Sequence, residues 1–249
     1  MEIAVGLLIG FAIGATGVGG GTLTAPTLIL LMRFEPRQAV ATALIYAAAV
    51  KLWASAVYMY RKQVNFRILA YLLAGGIPGA VIGSIALDRL KVIHANGWIM
   101  CVVGLVVTFS AIVGILKPGR EGRKGNSSMP VLSLFAFPIG IESSFSSSGT
   151  GALGTVLLFR LTSMVPAGIV GTDLAFGLVV CAIGGTIQVT SGNGDWNALA
   201  RLIPAGILGS IIGISVGNRL PTKVLRTAIL ICATGIGFTL FVKGMQGIR

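Results

Sequence analysis

Charged side chains are scarce in this chain of 249 residues. Only 10% of its residues are charged, with seven acidic residues against nineteen lysines and arginines. Globular proteins carry about 25% charged residues, because their water-exposed surface needs them. This scarcity excludes a soluble enzyme, a nucleic-acid-binding domain and a disordered chain. With 55% hydrophobic residues, the sequence instead predicts a multi-pass membrane protein in contact with lipid.

Residue types that bind metals or perform nucleophilic catalysis are also few. The chain has one histidine, His94, and three cysteines, Cys101, Cys181 and Cys232, whose spacing fits neither a disulfide framework nor a zinc site. The sequence shows no nucleophile–base pair, so we expect no catalytic residue, no metal, no cofactor and no enzyme. An intramembrane enzyme, or a subunit that scaffolds one, is the least favoured alternative.

Eight apolar runs are long enough, or nearly so, to cross about 30 Å of hydrocarbon as helices. Only helices and closed barrels can cross lipid, and these runs lack the alternation of barrel strands. The predicted fold class is therefore all-α, a polytopic helical membrane protein with seven or eight hydrophobic segments. The runs are 3–32, 36–60, 68–87, 92–116, 130–160, 164–190, 202–220 and 222–242.

The chain repeats itself with an offset of 130 residues. Gly10 aligns with Gly140 and Pro36 with Pro166, and 21 of the 81 positions in 10–90 match those in 140–220. Composition alone would give roughly seven matches. We therefore predict two homologous halves, a first repeat over 1–116 and a second over 130–249. A polar basic linker over 117–129 joins them.

The first run of each half contains a stretch that disfavours helix. Gly14–Gly21 holds five glycines, and Ser143–Gly151 is rich in serine. Glycine costs a helix about 1 kcal/mol per residue, and serine hydroxyls compete for backbone hydrogen bonds. Each run is therefore predicted to form two half-helices that meet at a polar turn.

Two membrane topologies follow from these broken elements. If they span, the chain crosses eight times, and eight basic residues lie on one side against ten on the other. If they are re-entrant, each half crosses three times, the repeat is inverted, and the counts become eleven and seven. The positive-inside rule favours the second topology, with both termini outside.

The two turns are the predicted substrate site. Freed backbone N–H groups at the start of a half-helix attract anions, and hydroxyl groups add donors, so the expected partner is a small anion. The alternative is that these glycines only let helices pack closely, as we expect for the stripes Gly75, Gly79, Gly83 and Gly209, Gly213, Gly217. The candidate binding residues are Gly17, Gly19, Gly20, Gly21, Thr22, Thr42, Ser146, Ser147, Ser148, Gly149, Thr150, Gly151 and Thr172.

Three ionisable residues, Lys51, Glu142 and Asp173, lie within apolar runs. A charge at this depth costs at least about 2.5–3.5 kcal/mol and by default indicates function. Glu142 and Asp173 are candidates for coupling transport to protons, and Lys51 for holding an anion. A structural ion pair between Lys51 and one of the carboxylates is an equally good interpretation.

The pattern Gly14-x-x-Gly17-x-Gly19-Gly20-Gly21-x-Leu23-x-x-Pro26 resembles the sulfite exporter TauE/SafE family of membrane permeases. The second half is similar at Gly171-Thr172-Asp173-Leu174 and at Gly206-x-x-Gly209-x-x-x-Gly213, so the resemblance covers nearly the whole chain. It departs at Ser143–Ser148, where the family often repeats the glycine-rich turn.

The resemblance implies transport of sulfite, thiosulfate or small organosulfonates across the inner (cytoplasmic) membrane. We therefore expect a secondary transporter that binds its anion between the two turns near the membrane midplane. A passive channel for anions or small solutes is the alternative on the same scaffold. The sequence leaves the direction of transport and the oligomeric state open, a homo-oligomer included.

Overall fold

The computed structural model describes residues 2–17, 22–89, 96–116, 129–146, 149–217 and 222–248. The regular elements within these ranges are all α-helices, which confirms the predicted all-α class. The helices are α1 (Glu2–Thr16), α2 (Thr24–Met32), α3 (Pro36–Tyr60), α4 (Phe66–Arg89), α5 (Asn96–Leu116), α6 (Met129–Ser146), α7 (Gly149–Leu161), α8 (Pro166–Thr190), α9 (Trp196–Gly217) and α10 (Thr222–Ile248).

The first apolar run of each half is divided into two helices. In the first half, α1 ends at Thr16 because Gly17 adopts a left-handed φ of 71° and donates its N–H to Ile13 O at 2.8 Å. Glycine takes this conformation without the steric penalty of a side chain. In the second half, α6 continues to Ser146 and α7 begins at Gly149, so the interruption is shorter than the serine-rich stretch predicts.

Two pairs of helices, α3 with α8 and α4 with α9, begin at equivalent positions of the two halves. Proline opens both α3 and α8, where its missing N–H costs nothing. The starts of α4 and α9 are capped by side chains, since Ile68 N–H donates to Asn65 Oδ1 at 3.1 Å and Ala198 N–H donates to Asp195 Oδ1 at 3.0 Å. Local sequence signals thus start these two pairs of helices 130 residues apart.

Helices α3 and α8 form the centre of the bundle and run antiparallel. Ile45 packs on Gly185 near the start of α3, and Tyr58 packs on Gly171 near its end. Buried residues make up 61% and 72% of the apolar windows of α3 and α8, against 33–50% in the other three long apolar helices. Side chains in the middle of α3 and α8 are therefore the most remote from lipid and water.

Each half places its first helix against the other half. Gly6 of α1 faces Leu202 of α9 and Gly14 faces Ser210, so these two helices are parallel and in close contact. In the equivalent contact, α6 packs along α4. The glycine stripes predicted to serve packing do so in both contacts, because a Cβ on Gly75, Gly79, Gly83, Gly209 or Gly213 would overlap the backbone of the facing helix.

In each divided run, the first residues and the last residues lie at the same end of the bundle. One cavity is lined by Glu2 and Ile3 from the start of α1 and by Leu31 and Met32 from the end of α2. Another is lined by residues from the start of α6 and the end of α7. We call α1–α2 the first hairpin and α6–α7 the second hairpin. The first cavity lies where α3 begins, beside Phe34, and the second lies beyond its end.

Five helices in the described ranges are long and apolar enough to cross a membrane, namely α3, α4, α8, α9 and α10. By contrast, α1 has 15 residues, about 22 Å at 1.5 Å per residue, which is less than the hydrocarbon thickness of about 30 Å. Large apolar side chains such as Leu8, Phe109, Leu134 and Phe238 are exposed on the outside of the bundle, as expected for lipid contact.

Candidate anion site

Lys51 lies near the middle of α3 with only 1% of its side chain exposed. Its ammonium donates to Thr150 Oγ1 at 2.8 Å and to Cys181 Sγ at 3.6 Å. Among the residues that the structure describes, no carboxylate forms an ion pair with it. A buried cation with only neutral partners carries a large desolvation cost, which a bound anion would offset.

The start of α7 lies beside this ammonium. Thr150 is fully buried, and its backbone N–H donates to Ser143 Oγ of α6 at 3.1 Å, which holds the two arms of the second hairpin together. The first N–H groups of a helix have no partner within the helix and carry a partial positive charge. Gly177 of α8 provides the space for this ammonium, because a Cβ at position 177 would lie 2.6 Å from Lys51 Nζ. The Lys51 ammonium and the partly positive start of α7 therefore lie next to each other in the centre of the bundle.

The first hairpin also holds a buried hydroxyl without a partner among the described residues. Thr22, two residues before α2, is fully buried, and its Oγ1 makes no hydrogen bond within the described residues. Buried hydroxyls almost always have a partner, so this one is available to a ligand. Gly17, at the end of α1, packs against Val170 and Leu174 of α8. The predicted site residues Gly19, Gly20, Gly21, Ser147 and Ser148 lie outside the described residues.

Asp173 lies on α8 one helical turn from Gly177 and faces α7. Thr155 Oγ1 donates to Asp173 Oδ2 at 3.3 Å, and Gly154 provides the space, since a Cβ there would press on the carboxylate. The Asp173 carboxylate therefore contacts α7 one helical turn after Thr150. The Lys51 ammonium lies at the same interface between α7 and α8.

The structure places Thr42 and Thr172 away from Lys51. Thr42 Oγ1 accepts the N–H of Asp195 at 3.3 Å, and Thr172 Oγ1 accepts the N–H of Asn65 at 3.0 Å. Both hydroxyl oxygens thus accept a backbone N–H at the starts of α9 and α4. Thr42 is nine residues from Lys51 on the same helix, about 13 Å at 1.5 Å per residue.

The remaining candidates lie on the second hairpin. Glu142 is half-buried near the end of α6, and Ser146 is the last residue of that helix. Gly149 and Gly151 belong to the first turn of α7, on either side of Thr150. The structure therefore brings Thr150 into contact with Lys51, with Gly149 and Gly151 as its chain neighbours.

The family model for "Sulfite exporter TauE/SafE" matches residues 2–240, nearly the whole chain. The chain belongs to the TauE/SafE sulfite exporter family. It is accordingly a membrane transporter, and the family gives no indication of an enzyme.

Curated relatives of this TauE/SafE protein carry general names. It is 32% identical over 236 residues to the "Probable membrane transporter protein YjnA" of Bacillus subtilis, with 89% of each chain covered. It is 25% identical over 246 residues to the "Probable membrane transporter protein YdhB" of the same organism, with 96% of this chain and 98% of the relative covered. No solved structure matches the chain significantly.

Two residues at this candidate site were not among the predicted site residues. Ser143 binds the Thr150 backbone, and Cys181 touches the Lys51 ammonium. Neither residue type stands out in an apolar helix. The repeat offset held the signal for Cys181, because position 181 is the counterpart of position 51 in the second half.

Proposed function

We propose that this TauE/SafE member is a secondary transporter of small sulfur-containing anions such as sulfite, thiosulfate or organosulfonates. The observation that carries the proposal is the buried Lys51 ammonium beside the start of α7, without a carboxylate partner among the described residues. The name of the family supplies the sulfur. The chemistry of the site supplies the preference for a small anion.

We propose that donors from both hairpins bind the anion. Lysine has three N–H donors, and Lys51 directs two of them at Thr150 and Cys181, which leaves one for the anion. Because Thr150 Oγ1 accepts from the ammonium, its own proton is free to be donated. Thr22 offers its unpartnered hydroxyl from the first hairpin. An oxyanion with three or four oxygens can accept hydrogen bonds from several such donors at once.

We propose an inverted repeat for the membrane topology, with each hairpin re-entrant. Each half then crosses with three helices, α3–α5 and α8–α10. The antiparallel packing of the equivalent helices α3 and α8 supports the inversion, since a parallel repeat would align them. The paired ends of each hairpin at opposite ends of α3 support re-entry. The basic residues then divide eleven to seven. By the positive-inside rule, we propose that the end with Asn65 faces the cytoplasm and that the protein lies in the inner membrane.

The driving force is proposed to be an ion gradient. The glycine-rich turn lacks the lysine that a nucleotide-binding P-loop requires. Asp173 is the favoured coupling carboxylate, because it contacts the second hairpin through Thr155 and its protonation would change that contact. Glu142, near the end of α6, is the second candidate.

Thermal stability of the purified protein tests the binding step. Sulfite, thiosulfate and methanesulfonate are expected to raise the melting temperature in a saturable way, because a ligand that binds only the folded state stabilises it. Acetate and chloride at equal ionic strength serve as controls. Lys51→Met should remove the shift, whereas Lys243→Met, at an exposed lysine of α10, should keep it. Equal shifts in the two variants would overturn the assignment of the site.

Flux through proteoliposomes tests the transport step. We expect the protein to accumulate radiolabelled thiosulfate or sulfite against its gradient when a proton gradient is imposed. Equilibration without accumulation, under any imposed ion gradient, would contradict a secondary transporter and support the passive channel.

A further inference from the structure

Lys51 and Cys181 occupy equivalent positions in the two halves, and they touch. The 130-residue offset aligns position 51 with position 181, and Lys51 Nζ lies 3.6 Å from Cys181 Sγ. When two copies of a motif are related by a two-fold operation, a residue meets its own counterpart only next to the axis. The antiparallel crossing of α3 and α8 puts that axis across the two helices, at the level of this pair.

Contacts away from this level occur twice, as a two-fold operation requires. The ring of Tyr46 packs on Gly206, and the ring of its counterpart Phe176 packs on Gly76. The hydrogen bond from the Asp195 N–H to Thr42 has its equivalent in the bond from Asn65 to Thr172. The same two-fold operation relates the two contacts of each pair. It also superposes α3 on α8, and Lys51 and Cys181 lie near the point where these two helices cross.

We infer that Lys51 is a fixed positive charge on the pseudo-two-fold axis that holds the anion in both access states. This inference rests on the proposed function and on its inverted repeat. In such a transporter, the outward-open and inward-open states are related by an exchange of conformation between the halves. A group away from the axis changes its surroundings in that exchange, whereas a group on the axis keeps its depth.

One lysine is therefore enough for a site that two halves share. The second half supplies a neutral thiol at the equivalent position, so the pair provides a single ammonium. Because the axis relates the two positions, an ammonium placed at 181 would lie in the same central region, within about the length of one lysine stem. The site requires one positive charge at this level, and either half can supply it.

The experiment moves the charge across the axis. Four proteins are compared in proteoliposomes: the wild type, Lys51→Cys, the exchange variant Lys51→Cys/Cys181→Lys, and the control Lys243→Met. Initial rates of thiosulfate uptake and of efflux from loaded vesicles are measured for each. Elution volume in detergent and melting temperature without anion report folding, and the shift of melting temperature with thiosulfate reports binding.

Lys51→Cys is expected to lower uptake and efflux together by about tenfold to a hundredfold, the loss expected when a hydrogen bond to a charged group of about 1.5–3 kcal/mol is removed. The exchange variant should recover both directions and the thiosulfate-induced shift, while Lys243→Met should resemble the wild type. An exchange variant that folds like Lys51→Cys yet remains equally inactive would overturn the axial role. Loss in one direction only would also overturn it.

Failure of the proposed function gives a different result. In that case the wild type itself neither transports nor is stabilised by thiosulfate, sulfite or methanesulfonate. If the wild type transports and Lys51→Cys does so equally well, the transporter assignment stands and the axial charge is refuted.

Discussion

The close contact between α1 and α9 makes a sharp prediction about Gly10. Its Cα faces Gly206, and a Cβ added by Gly10→Ala would lie 2.6 Å from Gly206 Cα. Carbon atoms in contact prefer about 3.5–4.0 Å, so the two helices would have to separate locally by about 1 Å. The overlapping atoms belong to the backbone of a helix and cannot rotate away.

Overpacking of this kind typically costs about 1–3 kcal/mol, and the better helix propensity of alanine returns about 0.5–1 kcal/mol. The difference is about 0–2.5 kcal/mol, and because the overlap is with backbone that cannot rotate away, we expect Gly10→Ala to lower the free energy of unfolding by an amount in the upper part of that range, about 1–2.5 kcal/mol. Because the contact between α4 and α6 is equivalent, Gly140→Ala, whose Cβ would overlap the backbone of Gly76, should cost a similar amount.

The matched control is Gly235→Ala in α10, where an added Cβ meets nothing within 4 Å. This substitution should be neutral or stabilising by up to about 1 kcal/mol. Unfolding in detergent, followed by circular dichroism against temperature or denaturant, measures all three variants. If Gly10→Ala proves as stable as Gly235→Ala, the close packing between the first helix and the other half is refuted.

Three further substitutions test local features. Asp195→Ala should lower stability by about 0.5–2 kcal/mol through the lost cap on the Ala198 N–H, whereas Asp195→Asn should keep it; equal melting temperatures would contradict the cap. Gly17→Ala forces a side chain into a φ of 71° and should cost about 1–2 kcal/mol in the same assay; an unchanged melting temperature would argue against this turn. Gly177→Ala should weaken thiosulfate-induced stabilisation, because its Cβ displaces the flexible end of Lys51. Thiosulfate binding equal to that of the wild type would show that the anion does not depend on the position of the Lys51 ammonium.

Some helix boundaries agree closely with the predicted runs, since the run 36–60 is α3, whereas the run 202–220 lacks the first six residues of α9. Pro36 and Pro166 open helices, and the left-handed Gly17 closes one, because each of these residues restricts or frees its own backbone. The breaks in the first run of each half follow from the same local preferences. The serine-rich stretch was less informative, since Ser143 and Ser144 stay helical with their hydroxyls bonded to other groups.

The local sequence pattern did not predict which helices pack against each other. Apolar periodicity says that a helix is buried, but not that α1 packs on α9 of the other half, since that choice depends on how glycine-lined surfaces fit in three dimensions. The placement of Lys51 against Thr150 has the same origin, because the contact joins residues 99 positions apart.

Thr42 and Thr172 show that a polar residue in an apolar run can serve the fold as well as a ligand. Both hydroxyls accept backbone N–H groups at the start of a helix from the other half. A buried hydroxyl satisfies an otherwise unpaired backbone donor as readily as it binds a solute, and sequence does not distinguish the two uses. The repeat does separate the two uses here. Threonine occurs at the equivalent positions 42 and 172 of both halves, whereas lysine occurs at position 51 and not at position 181.

Anomalous X-ray scattering from crystals soaked in selenite, a heavier analogue of sulfite, tests the central claim most directly. The account predicts a selenium peak within about 4 Å of Lys51 Nζ, beside the start of α7, consistent with a charge-assisted hydrogen bond from the ammonium to a selenite oxygen. That peak should be absent from Lys51→Met crystals. A peak elsewhere among the membrane-crossing helices, with none beside Lys51, would contradict it.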